Sequence, residues 1–317
     1  MMGYTLRRCV LAALIVIVAT GLLFAMIHVV PGDPARVALG PRASQDMLAA
    51  FRLKMGLDLP LWQQFLNFVS AAVQGDLGQE VLSNRPVLTI LMEQLPHTLL
   101  LIVAGMIWSI LLGIPLGTMA AARPGSLFDR VVGVLSVSFI AIPSFVVAIY
   151  TLLLFAVHLR WLPAVGAGQY DDPLSVIRHL ILPSLAIGIG WVGYLARMVR
   201  ASMLDVLSES HIRTARGLGL RERTVIYNYA LRIAILPTIT LLGIGIGQLI
   251  SSAVFIEIVF ARPGIGKLVY DAIIARNIPL VTGGLLLTTI FFVLANLVAD
   301  LITGGLDPRV RDSYTRR

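Results

Sequence analysis

Long apolar runs without a single Asp, Glu, Lys or Arg dominate the chain, at residues 9–32, 94–122, 131–159, 179–196, 233–256 and 277–299. Each holds at least 18 residues, and about 20 helical residues cross the roughly 30 Å of a bilayer's hydrocarbon. Backbone groups in hydrocarbon must be satisfied within the segment, so the pattern predicts six transmembrane helices in an all-α membrane protein. A seventh apolar stretch, residues 59–75, is interrupted by Gln63, Gln64, Asn67 and Gln74, which predicts a helix lying in the membrane interface. It belongs to a long outer loop over 31–95, with turns at Pro31-Gly32-Asp33-Pro34 and Gly75-Asp76-Leu77-Gly78. The whole of 1–317 reads as one transmembrane domain.

Prolines punctuate the runs. Pro96, Pro183, Pro237 and Pro279 stand near run starts and predict first-turn positions in helices two, four, five and six, where a missing N–H costs least. Pro115 and Pro143 fall inside helices two and three and predict bends there. Gly113 with Gly117, and Gly243 with Gly247, have the spacing that lets two membrane helices approach closely.

The break in the apolar pattern at 197–237 is the most informative stretch. Seven arginines (Arg197, Arg200, Arg213, Arg216, Arg221, Arg223, Arg232) place it in water. Leu204, Leu207, His211 and Ala215 recur at helical spacing, with Glu209 four residues before Arg213, and predict a short helix from about residue 204 to 216. Gly217 and Gly219 end it, and Val225, Ile226 and Tyr229 predict a second short helix. A basic loop of this kind fixes topology, touches anionic lipid or offers a rigid knuckle to a partner.

Composition agrees with the membrane reading: 57% hydrophobic and 13% charged residues, against about 25% charged in a soluble domain. Fifteen Lys and Arg residues lie on one side of the predicted topology and five in the short loops of the other, which puts both termini in the cytoplasm. The net charge of +8 sits where topology places it, so nucleic acid is not a partner. The single Cys9 forms no intramolecular disulfide. The 24-residue first run is too long for a cleaved signal peptide and predicts a retained helix.

Chemistry is sparse. No HExxH, GxSxG or paired-cysteine metal pattern occurs, which argues against an enzyme. Arg262-Pro263-Gly264-Ile265-Gly266-Lys267 resembles a phosphate loop only in passing, since Leu268 follows Gly-Lys. Glu257 and Asp300 lie near helix ends; Glu257 reads either as a solvated carboxylate or as a gate. Ser138, Ser144 and Asn296 are polar groups within runs that could face a passage, and a serine bonding its own helix is the alternative. The chain thus has a membrane path without an energy source. It reads as half of a motor-driven transporter, a passive channel or secondary transporter, or a membrane adaptor.

At 209–220 the run Glu-Ser-His-Ile-Arg-Thr-Ala-Arg-Gly-Leu-Gly-Leu, followed by Tyr-Ala-Leu-Arg-Ile-Ala-Ile-Leu-Pro at 229–237, resembles the coupling motif of the dipeptide/oligopeptide/nickel permeases of binding-protein-dependent ABC importers. Pro31–Pro34, Gly75–Gly78, Leu95-Pro96, Trp161-Leu-Pro-Ala164, Pro263-Gly-Ile-Gly266 and Asp307-Pro-Arg309 extend the resemblance along nearly the whole chain. The resemblance implies a type I ABC importer permease in a bacterial or archaeal cytoplasmic membrane, the first of two homologous permeases in a heterodimer. It implies two ATPase subunits that bind the ATP and magnesium, no cofactor on this chain, and an outer solute-binding protein, free or lipid-anchored, that delivers the cargo. That cargo is a peptide or similar hydrophilic solute, with nickel chelates, glutathione or oligosaccharides as the family's alternatives. Arg213, Thr214 and Ala215 then take the positions usually written Glu-Ala-Ala, and Glu209, Arg216, Gly217, Gly219 and Leu220 complete the ATPase-coupling set. Departures are Ser210-His211 for an acidic-aromatic pair, Gly217-Leu218 for Ala-Lys, Tyr229 for His and Asn277 for Asp.

Overall fold

The computed structural model describes residues 2–29, 43–55, 58–81, 83–169 and 171–306. The motifs at Pro31–Pro34 and Asp307–Arg309 lie outside them. The described residues are helical, with one isolated bridge, Gln79 to Pro86. In chain order the helices are α1 (Met2–Val29), α2 (Gln45–Met55), α3 (Leu61–Val73), α4 (Val87–Ala122), α5 (Leu127–Ala141) and α6 (Ser144–His158, ending in a π turn). Then come α7 (Pro173–Leu207), α8 (Ser210–Gly217), α9 (Glu222–Ala234, with a central π turn), α10 (Leu236–Val259), α11 (Ile265–Ile274) and α12 (Ile278–Leu306). By length and apolarity four helices can cross a membrane, or six when two bent pairs, α5 with α6 and α9 with the start of α10, each count as one crossing.

Prolines correct two of the expected boundaries. Pro96 and Pro183 lie inside α4 and α7 and do not open them. The charge-free criterion started too late: α7 runs back through Arg178 to Asp172, whose carboxylate accepts the Leu174 N–H at 2.9 Å. Pro143 produces more than a bend. Ile142 is extended, as a residue before proline prefers, and α5 and α6 meet at 102°. Pro115 leaves α4 unbroken, while Pro237 and Pro279 stand in first turns as expected.

Two units are distinguishable. One is built chiefly from residues 99–262, the other from 6–98 and 263–294. In the first, glycines set how closely the helices meet. A Cβ on Gly113 of α4 would stand 2.8 Å from the Leu195 Cβ of α7, and one on Gly117 would stand 2.4 Å from the Ala196 carbonyl oxygen. Gly188 approaches Gly105, and Gly193 approaches Ser136 of α5, equally tightly. Polar side chains fasten the same seam: Trp108 Nε1 donates to Ser184 Oγ (3.0 Å) and Ser109 Oγ to the Gly188 carbonyl (3.1 Å). Gly243 of α10 meets Ala299 of α12 in the same manner.

In the second unit, α11 buries Ile265, Val269 and Ala272 against Val87, Leu91 and Leu280. The turn at Gly75–Gly78 has both glycines at positive φ (82° and 85°). Beyond it the buried Glu80 carboxylate accepts the Asn277 amide and the Ser83 N–H, both at 2.6 Å. Asn277 thus supplies an amide donor to the buried Glu80 carboxylate. Thr98 Oγ1 accepts the Ile265 N–H at 2.9 Å and holds the start of α11.

The α4–α7 seam predicts an asymmetry between glycines. Gly117→Ala should cost about 1–3 kcal/mol through overpacking against backbone, whereas Gly21→Ala, with nothing within 4 Å, should leave stability unchanged or slightly raised. Thermal melting of the purified chain in mild detergent reads both.

Candidate coupling surface

The water-facing loop hangs from the end of α7. The expected single helix over residues 204–216 is two pieces: α7 continues to Leu207, the chain turns at Ser208 and Glu209, and α8 restarts at Ser210. The restart explains the polar pair at 208–209, because Glu209 takes the extended conformation of a residue preceding a helix. Its carboxylate meets His211 Nδ1, two residues on, at 3.0 Å.

The end of α8 is tightly specified. Gly219 has φ of +77°, its N–H bonds the Arg216 carbonyl at 3.0 Å, and the Leu220 N–H bonds the Ala215 carbonyl at 3.4 Å. These are the two hydrogen bonds of a Schellman end, and glycine supplies the left-handed residue it needs. Arg216 then bridges the turn, with Nη2 2.7 Å and Nε 3.1 Å from the two Glu222 carboxylate oxygens at the start of α9. The guanidinium holds the Glu222 carboxyl below its ordinary pKa. Both side chains are exposed, so the pair sets geometry more than stability.

One face of α8 is core. Ile212 and Ala215 are buried with Met203 and Val206 of α7 and Val225 and Ile226 of α9. The opposite face presents Arg213, Thr214 and Gly217, and past its end Leu218 is 77% exposed. Seven of the eight sequence candidates, Glu209, Arg213, Thr214, Arg216, Gly217, Gly219 and Leu220, share this exposed face and the turn beside it. Ala215 points inward and packs α8 onto the core. Leu218 escaped the sequence reading, although an apolar residue between two helix-ending glycines is a signal for an exposed contact.

The four passage candidates lie on four different helices, α5, α6, α10 and α12. Ser138 Oγ donates to the Val134 carbonyl of its own helix at 3.0 Å, and Ser144 opens α6 beyond the break. Asn296 is half-buried on α12. Glu257 is fully buried in the last turn of α10, so the solvated reading of this carboxylate is overturned. Arg262, equally buried, folds back beside it, and its N–H closes a turn onto the Glu257 carbonyl at 2.8 Å. Burial pushes the Arg262 pKa down, and the Glu257 charge opposes that shift. The guanidinium nitrogens find no hydrogen-bond partner among the described residues, so this charge rests on Coulombic attraction to its neighbour.

Four to six helices long and apolar enough to cross a membrane place the chain among multi-pass helical membrane proteins. Residues 113–312 match the family described as binding-protein-dependent transport system inner membrane component, and residues 1–102 match its N-terminal counterpart. The chain belongs to this family and is a multi-pass inner-membrane permease of the binding-protein-dependent ABC importer type. The glutathione transport system permease protein GsiC of Escherichia coli K12 is 36% identical over 98% of this chain and 99% of its own length. GsiC of Shigella boydii is 35% identical over the same shares. An inward-facing structure of the MetNI methionine ABC transporter aligns with a TM-score of 0.57 at 19% identity, covering 69% of this chain and 96% of that one. A second crystal form of it gives 0.54 at 18%. These structures share the fold.

Removing one member of the buried pair tests its weight. Arg262→Ala should cost about 3–5 kcal/mol by leaving Glu257 buried without its cation, and Arg262→Met with Glu257→Gln should recover most of that loss. Yield of folded protein and melting in detergent report both.

Proposed function

We propose that this chain is one of two homologous permeases that together form the passage of an ATP-driven importer for glutathione-sized peptides. The observation that carries the reading is the 36% identity to a glutathione permease along 98% of the chain. Both termini face the cytoplasm, as the basic residues favour. The loop 197–237 therefore docks on one of the two ATPase subunits, which bind ATP and magnesium. The solute-binding protein, free or lipid-anchored, docks on the opposite side.

In this reading the exposed face of α8, with Arg213, Thr214, Gly217 and Leu218, seats in a groove of one ATPase. The buried face transmits the stroke. Ile212 and Ala215 are packed among residues of α7 and α9, so a displaced α8 drags the membrane helices with it. A helix end fixed by Gly219 and the Arg216–Glu222 bridge loses little motion to bending. Peptide selection belongs mainly to the binding protein, and the permease offers a path.

Leu218→Asp and Arg213→Glu should each lower binding-protein-stimulated ATPase and uptake of labelled glutathione at least tenfold, with membrane insertion unchanged. Uptake is measured in proteoliposomes holding the second permease, the ATPases and the binding protein. Normal uptake in both variants would remove α8 from coupling. Uptake without ATP by this chain alone would replace the importer with a channel.

A further inference from the structure

Between the first turns of α5 and the last turns of α7 lies a cavity of about 340 Å³ with a basic mouth and an apolar wall. Arg130, Arg197 and Arg200 rim it, while Val132, Gly133 and Val137 line its side. Asp129 is 95% buried and orders the rim. Its carboxylate takes the Gly125 N–H at 2.9 Å and both the Nε and the Nη2 of Arg200, the latter at 2.8 Å. That clamp fixes the plane of the Arg200 guanidinium and leaves its Nη1 donors out of the clamp. Arginines that served only to orient the chain in the membrane would need no such fixing.

We propose that this cavity binds an anionic phospholipid, with the headgroup phosphate on the three arginines and the first acyl carbons along the valine wall. Three cations against one carboxylate leave a net charge of about +2, which favours an anionic phosphodiester headgroup over a zwitterionic one. Depth supports a lipid over a soluble anion. From Asp129 to Val137 the wall descends eight residues, roughly 12 Å along the helix axis, from the water-facing turn into the charge-free run. A free phosphate would use only the mouth. Val131, Val134 and Leu135, on the same stretch of α5, are exposed and continue an apolar surface beside the cavity. Guanidinium groups at the headgroup level with apolar stems below them suit this depth.

The test uses the assembled transporter purified in mild detergent, incubated with phosphatidylglycerol or phosphatidylcholine and read by native mass spectrometry. The wild type should retain one phosphatidylglycerol in preference to phosphatidylcholine. Arg130→Gln with Arg197→Gln should weaken that retention at least tenfold, while Arg123→Gln, an arginine of the neighbouring turn outside the cavity, should leave it intact. Equal retention by the double variant and the wild type would overturn the proposal. So would displacement of the lipid by millimolar inorganic phosphate, or no retention by the wild type because a partner chain fills the site. The readout is lipid bound and does not depend on the importer assignment; melting of each variant in the same detergent excludes misfolding as the cause of a loss.

Discussion

The close approach of α7 to α4 and α5 is the constraint on which the first unit depends. Membrane helices gain nothing hydrophobic from leaving lipid for one another, so their association rests on van der Waals contact and a few hydrogen bonds. Gly105, Gly113 and Gly117 on one helix and Gly188 and Gly193 on another remove the atoms that would hold the backbones apart. The Trp108–Ser184 and Ser109–Gly188 bonds then fix register where apolar side chains alone would slide. With α7 held this way, α8 hangs from a defined point.

Charges in the first unit sit at helix ends and do different work. Asp129 and Arg200 are hydrogen-bonded in two places and cap the turn before α5. Glu257 and Arg262 are buried together with no such bonds from the guanidinium. A buried cation of this kind is costly; the corner before it, with Ala261 at φ +43°, is closed by the Arg262 backbone N–H to the Glu257 carbonyl. The exposed Arg216–Glu222 pair is the weakest energetically, and it ties the end of α8 to the start of α9 across the turn between them.

The membrane class was readable because hydrocarbon imposes a simple rule: each crossing must be about 20 residues of helix without charge. The six runs, the stop at Gly217–Gly219 and the close glycine pairs all follow from local chemistry. Helix ends were less legible. Arg178 and Arg197 bound the charge-free run 179–196 without ending α7, because a long helix extends beyond the hydrocarbon into water. The restart at Ser210 was missed for a related reason, since one amphipathic pattern crosses two helices when both bury their faces in the same core.

By itself the sequence determined an all-helical membrane chain, the basic loop, and the family through its separated motifs, since each depends on residue type and spacing along the chain. Tertiary structure alone decided that Ala215 faces inward and Leu218 outward, that Pro143 breaks a crossing at 102°, and that Glu257 is buried beside Arg262. Only it brought Asp129 to Arg200, 71 residues apart. Burial and pairing are properties of neighbours supplied by other helices, and a linear pattern records spacing along one helix without recording what packs against it.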